Sequence, residues 1–179
     1  MRKQSIILNL YGGPSSGKST IAANVFSELK WLKIDCELAS EYAKDKVWEL
    51  SHNVLNNQFY VSAQQYHRIW RLNGKVDVVI TDSPLILGLA YAQNEPKELH
   101  DLVVKYYNSF WNLDIFIQRT KPYNPNGRLQ NYEEALIKDQ EISVLFNRYC
   151  IENPAKIEGN KSSVEKIVNL IIDLKGLKT

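Results

Sequence analysis

Cysteine is scarce in this chain: Cys36 and Cys150 are the only two among 179 residues, far apart and without metal-ligand spacing. That count excludes a cysteine-built zinc site or a disulfide scaffold and predicts two reduced thiols, whose apolar or mixed neighbours favour packing over reactivity. An excess of one charge is missing too. Twenty-two Lys and Arg against 20 Asp and Glu leave +2, too little to hold nucleic acid or a membrane surface by bulk electrostatics, although local basic clusters stay open. No apolar run approaches membrane-spanning length. The positive start Met1-Arg2-Lys3 leads through a short apolar run straight into a glycine-rich turn, which predicts no signal peptide and a cytoplasmic protein. Repeats, low-complexity tracts and linkers are lacking. What remains is a single domain over residues 1–179, 44% hydrophobic and large enough to bury a core.

The most specific feature present is Gly12-Gly13-Pro14-Ser15-Ser16-Gly17-Lys18-Ser19-Thr20, which satisfies G-x-x-x-x-G-K-[ST] at every fixed position. An apolar run of strand length, 5–11, precedes it. Ile21, Ala22, Val25, Leu29 and Leu32 follow at helical spacing, so the motif stands at a strand-to-helix turn. Glycines let backbone N–H groups close around an anion, and the helix dipole adds positive potential. Lys18 brings a full charge to the β- and γ-phosphates, Ser19 offers a hydroxyl to Mg²⁺, and Thr20 caps or lines the same end.

Short apolar runs alternate with helical patterns along the whole chain, which predicts an α/β fold: a parallel sheet with helices on both faces. Five strands are expected at 5–11, 35–39, 77–81, 114–118 and, weakly, 155–157. Helices are expected over 18–32, 61–73 and 131–149, with a last one opened by the capping-box spacing Ser162-x-x-Glu165. Ligands of such sheets gather at the C-terminal strand ends, and the unusual residues fall there. Asp82 ends the third strand, placed to hold magnesium or accept a proton if that strand neighbours the first; an N-cap before Pro84 is its other reading. Glu41 follows the second strand, either as base or hydroxyl ligand for an acceptor or as a first-turn glutamate complementing a helix dipole. In the 61–73 helix, Gln64, Arg68 and Arg71 share a polar face, with Gln65 and His67 adjacent. Glutamine reads a base edge and arginine suits a phosphate, so Gln64, Gln65 and Arg68 form an expected acceptor wall. Trp48, Phe59, Tyr60, Tyr66 and Trp70 read mainly as core rings.

A basic loop broken by prolines and glycine follows the fourth strand, Arg119-Thr120-Lys121-Pro122-Tyr123-Asn124-Pro125-Asn126-Gly127-Arg128. It reads as a mobile lid over about 119–131, with Arg128 first and Arg119 second to stabilise charge on a transferring phosphoryl group. A solvated loop is the plain alternative. Glu158-Gly159-Asn160-Lys161, after the last strand, is a weak candidate to support a nucleotide base.

Together the phosphate loop, S-E-Y-A-K, S-A-Q-Q-Y-H-R, V-V-I-T-D-S-P and R-T-K-P-Y-N-P-N-G-R resemble the P-loop nucleoside and nucleotide kinase superfamily, in particular its ribosylnicotinamide-kinase-like, AAA-domain branch with phage-encoded relatives. The resemblance covers nearly the whole chain, though only the phosphate loop is specific alone. It implies a three-layer fold on a five-stranded parallel sheet and an ATP-dependent phosphotransferase using Mg²⁺. Lys18 and Ser19 would then lie on the nucleotide, Asp82 near metal or acceptor, Glu41 at the acceptor, and Arg128 in the lid. Lys44 departs from the arginine usual in E-Y-A-R, which removes any bidentate contact there. The acceptor does not carry over: nucleosides, nucleotides, ribosides and hydroxymethylated bases of phage DNA are all in range. The oligomeric state, a homodimer included, is open.

Two other nucleotide-binding classes lack their marks. A GTPase switch wants D-x-x-G, but Leu85 follows Asp82-Ser83-Pro84; it wants N-K-x-D, but Asn160-Lys161-Ser162 leads to Ser163. A mechanical ATPase wants an Asp-Glu pair where Asp82-Ser83 stands, and a non-kinase P-loop ATPase is kept only as an alternative. Near-neutral charge leans toward a small acceptor, while a kinase acting on DNA would draw on Lys44, Lys46, Arg68 and Arg71.

Overall fold

A computed structural model of the chain describes residues 4–120, 122–124, 130–151 and 154–176. At its centre is β1 (Ile6–Tyr11), buried along its whole length. Ile6, Leu8 and Leu10 enter one apolar cluster and Ile7 and Tyr11 the other, which is why this segment is apolar at consecutive positions instead of alternating. It pairs in parallel with β3 (Val78–Thr81), Ile6 opposite Val78, and with β4 (Trp111–Gln118), Ile6 opposite Trp111. β2 (Cys36–Leu38) and β5 (Ala155–Glu158) complete an all-parallel sheet in the order β2-β3-β1-β4-β5. The chain leaves β1 for one side of the sheet and later crosses to the other, so a ligand crevice belongs beyond the end of β1.

Helices cover both faces. α1 (Lys18–Trp31) and α7 (Ser163–Lys175) pack Val25, Leu29, Ile167 and Ile171 against Leu8, Ile80 and Ile117. On the other face, α3 (Gln58–Trp70), α4 (Leu85–Gly88), α5 (Lys97–Asn108) and α6 (Tyr132–Arg148) bring Ile69, Ile86, Val103, Ile142 and Phe146 onto Ile7 and Val79. Between β2 and α3 the chain forms α2 (Tyr42–Trp48) and a short 3-10 helix, His52–Asn56, of which only Tyr42 is buried. Among the described residues no helix is long and apolar enough to cross a membrane.

The five expected strands are present, with β4 starting three residues early at Trp111. α5 is an addition: Leu99, His100, Val103 and Tyr107 share its buried face. Within it His100 is fully satisfied, Nδ1 2.7 Å from the Tyr149 hydroxyl and Nε2 2.8 Å from the Ala92 carbonyl. The expected capping box of α7 does not form, because Ser162 already has helical backbone angles and its Oγ donates to Asn160 Oδ1. Asn160 takes over, accepting from the Ser163 N–H. A capping box stands at α6 instead, where Asn131 and Glu134 satisfy each other's backbone N–H. Trp48, Phe59 and Trp70 are also not core rings, with 65%, 59% and 53% of their surface exposed. Gln65 and Ile69, four residues apart, take the inward face of α3 and turn Phe59 and Trp70 outward.

One polar network is built into the sheet. Asn9 of β1 donates to Asn112 and Asp114 of β4, both at 2.9 Å, and the Tyr107 hydroxyl donates to the other Asp114 oxygen. Burial raises the Asp114 carboxyl above its ordinary range, and the hydrogen bonds it accepts oppose that shift. Cys36 is buried in β2, Cys150 is exposed, and both are free.

Candidate functional site

The turn after β1 has the shape its sequence demands. Gly12 and Gly17 have φ of 138° and 103°, and Ser15 between them has φ of 63°. A side chain at Gly12 would put its Cβ 2.6 Å from Ser16 Oγ and 2.9 Å from the Ile117 carbonyl, so only glycine allows the turn. At Gly13 a Cβ would meet the Ala135 carbonyl at 2.6 Å and Asp139 Oδ1 at 2.7 Å; the loop passes directly over α6. α1 then begins at Gly17 with no side-chain cap and no acid in its first turn. Its N-terminus therefore meets an anion with no competing side-chain cap or carboxylate, and with the helix dipole behind it. Lys18 lies across the loop, its Nζ donating to the carbonyls of Gly12 at 2.6 Å and Gly13 at 3.0 Å.

From the loop a cleft of about 440 Å³ extends outward. Pro14 to Thr20 form one wall; Glu41, Lys44 and Val47 from α2 and the turn before it, Leu55, Gln58 and Val61 beyond it, Ser83, Leu87 and Tyr91 around α4, and Gln130 are among the residues that face it. Glu41 is the N-cap of α2 and faces the same space as the loop. Asp82 follows β3, which does neighbour β1, so it stands at the sheet edge beside the loop. It does not cap α4, whose N-cap is Pro84 without a side-chain bond, and the adjoining Ser83 forms the cleft wall.

The expected acceptor wall is arranged differently. Gln65 is buried and turned inward: its Oε1 accepts the Tyr42 N–H at 2.9 Å and its Nε2 is 3.4 Å from Thr81 Oγ1. Arg68 donates to Ser40 Oγ at 2.8 Å and its carbonyl at 3.2 Å, and pairs with Asp45 at 2.5 Å. Both side chains thus brace the 40–45 turn that carries Glu41, while Gln64 is half-buried and is not part of the cleft lining. Arg119 is also occupied. Its Nη1 donates to the Pro14 carbonyl at 2.6 Å and its Nη2 pairs with Asp139 at 3.0 Å, on the outer side of the loop. Ser15 Oγ accepts the Asn124 N–H at 2.9 Å. Arg128 lies outside the described residues.

Two residues of the site escaped the sequence reading. Tyr91 lines the cleft with the Lys138 ammonium 4.6 Å from its ring centre. Tyr91 is 41% exposed, and its phenol, neutral at ordinary pH, is a hydrogen-bond donor to the cleft. Asp139 accepts the Gly13 N–H at 2.5 Å. Its signal was legible: it is a carboxylate on the inward stripe Ala135, Ile142, Phe146 of α6.

A phosphate loop at the switch point of a parallel three-layer sheet defines a P-loop nucleotide-binding domain with the fold of the P-loop kinases. The AAA domain family matches residues 8–152, and the chain belongs to that family. No curated protein matches it by sequence. Among solved structures, the NadR protein in complex with NAD and AMP-PNP is similar with a TM-score of 0.70 at 16% identity, covering 98% of this chain and 51% of that one. At that identity the likeness shows the fold, and this chain spans about half the length of NadR.

Proposed function

We propose that the domain is an ATP-dependent phosphotransferase that moves the γ-phosphate to a hydroxyl or phosphate of a nucleoside-type acceptor. The observation that carries this reading is a single cleft that joins the phosphate loop to Glu41. Beyond the loop the same space is lined by Val47, Leu55, Val61 and Leu87 together with Lys44 and Gln58, a mixed apolar and polar wall that nucleotide hydrolysis alone would not need. The AMP-PNP and NAD of the NadR complex, a triphosphate analogue and a dinucleotide, agree with a fold that takes nucleotides.

Lys18 and the uncapped start of α1 hold the triphosphate. Glu41 orients the attacking hydroxyl and accepts its proton, and Tyr91 donates to the acceptor from the opposite wall. Magnesium prefers oxygen donors and keeps several waters. The Ser19 hydroxyl in the cleft wall and the Asp82 carboxylate just after β3 are the oxygen donors that would hold it, and bound there it would neutralise charge on the phosphates. Arg128, from the segment after β4, is the arginine assigned to the transferring phosphoryl group. Gln65 and Arg68 support Glu41 from behind.

The test offers labelled ATP and Mg²⁺ with nucleosides, nucleoside monophosphates and hydroxymethylated DNA in parallel. Label transfer to a nucleoside or nucleotide is expected. Transfer only to DNA would move the acceptor to a polynucleotide, and phosphate release indifferent to every acceptor would overturn the kinase reading in favour of a P-loop ATPase.

A further inference from the structure

In the outer half of the phosphate loop the Gly13 carbonyl accepts from the Ser16 N–H at 3.3 Å and from Lys18 Nζ at 3.0 Å, while the Gly13 N–H and the Pro14 carbonyl find their partners outside the loop. Pro14 has no N–H, and the Gly13 N–H points away from the space the phosphates would fill. Both are tied instead to elements distant in sequence. Asp139 Oδ1 takes the Gly13 N–H, Asp139 Oδ2 pairs with Arg119, and Arg119 returns to the Pro14 carbonyl at 2.6 Å, which closes a ring of bonds around the 13–14 peptide. The pair is secluded, the two side chains only 9% and 20% exposed, so each bond is strong and a lost partner is felt. The close approach of Gly13 to Ala135 and Asp139 brings loop and helix into direct contact.

We infer that Asp139 and Arg119 are positioning residues that hold the phosphate loop in its anion-binding shape, Arg119 acting through Asp139 and Pro14 instead of on the nucleotide. The inference rests on the nucleotide-binding reading above. Releasing the Gly13 N–H and the Pro14 carbonyl would let the 12–13 and 14–15 peptides turn, which would bring a carbonyl oxygen toward the phosphates and misplace the N–H groups from Ser15 onward. A preformed loop spares the nucleotide the ordering it would otherwise impose on binding. Arg119 Nε is buried and has no hydrogen-bond partner among the described residues, and Nη1 and Nη2 each keep a second N–H, so the test separates a positioning role from direct contact with the nucleotide.

Binding of AMP-PNP and of inorganic tripolyphosphate, both with Mg²⁺, is measured by calorimetry for the wild type, Asp139→Ala, Arg119→Met and the double variant. Asp139→Ala should weaken both ligands by a similar factor of about tenfold or more, the loss expected for a charged hydrogen bond, because the tie acts on the phosphate cradle and not on the base. In the Asp139→Ala background, Arg119→Met should add less than about threefold, since a shared network is sub-additive, and should recover melting temperature by removing an unpaired buried cation. Asp139→Asn, which keeps an acceptor for Gly13, serves if the alanine variant does not fold and should lose at least about threefold. Full additivity, a loss for AMP-PNP but not for tripolyphosphate, or wild-type affinity in the Asp139 variants would overturn the inference. A wild-type protein that binds neither ligand would instead sink the nucleotide-binding reading itself.

Discussion

Replacing Gln65 by methionine keeps the volume and removes both polar ends, so it isolates what this buried amide does. In the structure Gln65 Oε1 accepts the N–H of Tyr42, the first residue of α2, at 2.9 Å. The first N–H groups of a helix have no internal partner, and this one is shut away from water. Leaving it unsatisfied costs about 1–3 kcal/mol. The second contact, to Thr81 Oγ1, is 3.4 Å long and adds little. A net loss of about 2 kcal/mol corresponds to about 4–8 °C of melting temperature for a domain of this size. The functional consequence should be selective. Tyr42 adjoins Glu41, so the acceptor side should loosen while the loop is untouched: kcat should fall about tenfold or more, and the dissociation constant for AMP-PNP should stay within about twofold. Differential scanning calorimetry and nucleotide titration check the two halves. An unchanged melting temperature would show that the Tyr42 N–H is satisfied some other way, and equal losses in turnover and nucleotide affinity would refute the division of labour.

Lys18→Ala should lower turnover at least about a hundredfold with only a small change in the melting profile, because the ammonium acts on phosphate charge and its bonds to the Gly12 and Gly13 carbonyls lie in the loop and not in the core; steady-state kinetics with circular dichroism decides. Burial pushes the Cys36 thiol up to about 11, with the nearby Lys30 charge opposing. The native protein at pH 8 should therefore release one equivalent of thionitrobenzoate rapidly, from exposed Cys150, and a second only on unfolding. The Asp114 carboxyl is raised in the folded state by burial. As pH climbs above the ordinary carboxylate range the unfolded chain ionises there first, and wild-type stability falls relative to Asp114→Asn until the folded group has also ionised. Urea unfolding of both proteins from pH 3 to 7 should show that difference growing with pH; a constant difference would mean that the buried carboxyl titrates normally.

Those elements of the fold whose local signals agreed with their tertiary role could be read from the sequence. The phosphate loop was legible residue by residue, because its glycines answer backbone approaches that allow no side chain. The strands were legible as apolar runs. The acceptor side was harder, since Gln65 and Arg68 carry polar groups that suit a ligand and suit a buried backbone equally well. Spacing favours neither; only the placement of the Tyr42 N–H and the Ser40 carbonyl decides. Arg119 poses the same problem with a partner 20 residues away. The one sequence signal that separates such residues is the company they keep. Gln65 stands four residues before buried Ile69, and Asp139 shares a stripe with Ala135, Ile142 and Phe146. A polar side chain on an apolar stripe has a fixed intramolecular partner more often than a ligand.

The two halves of the cleft are supported unequally, and this bears on what each can do. The phosphate loop follows the central strand β1 and is tied to Arg119, just after β4, and to α6 by short charged bonds. Across the cleft, the α2 and 3-10 segment buries only Tyr42, leaves Trp48 and Leu50 65% and 81% exposed, and is braced through the Gln65 and Arg68 contacts at its start. Few apolar contacts mean a low free energy of local opening. Such a wall can reshape around an acceptor without disturbing the triphosphate, whereas the loop must present the same N–H groups to every nucleotide. Substitutions at Val47, Leu55 or Val61 should therefore change which acceptor is taken more readily than whether ATP is bound.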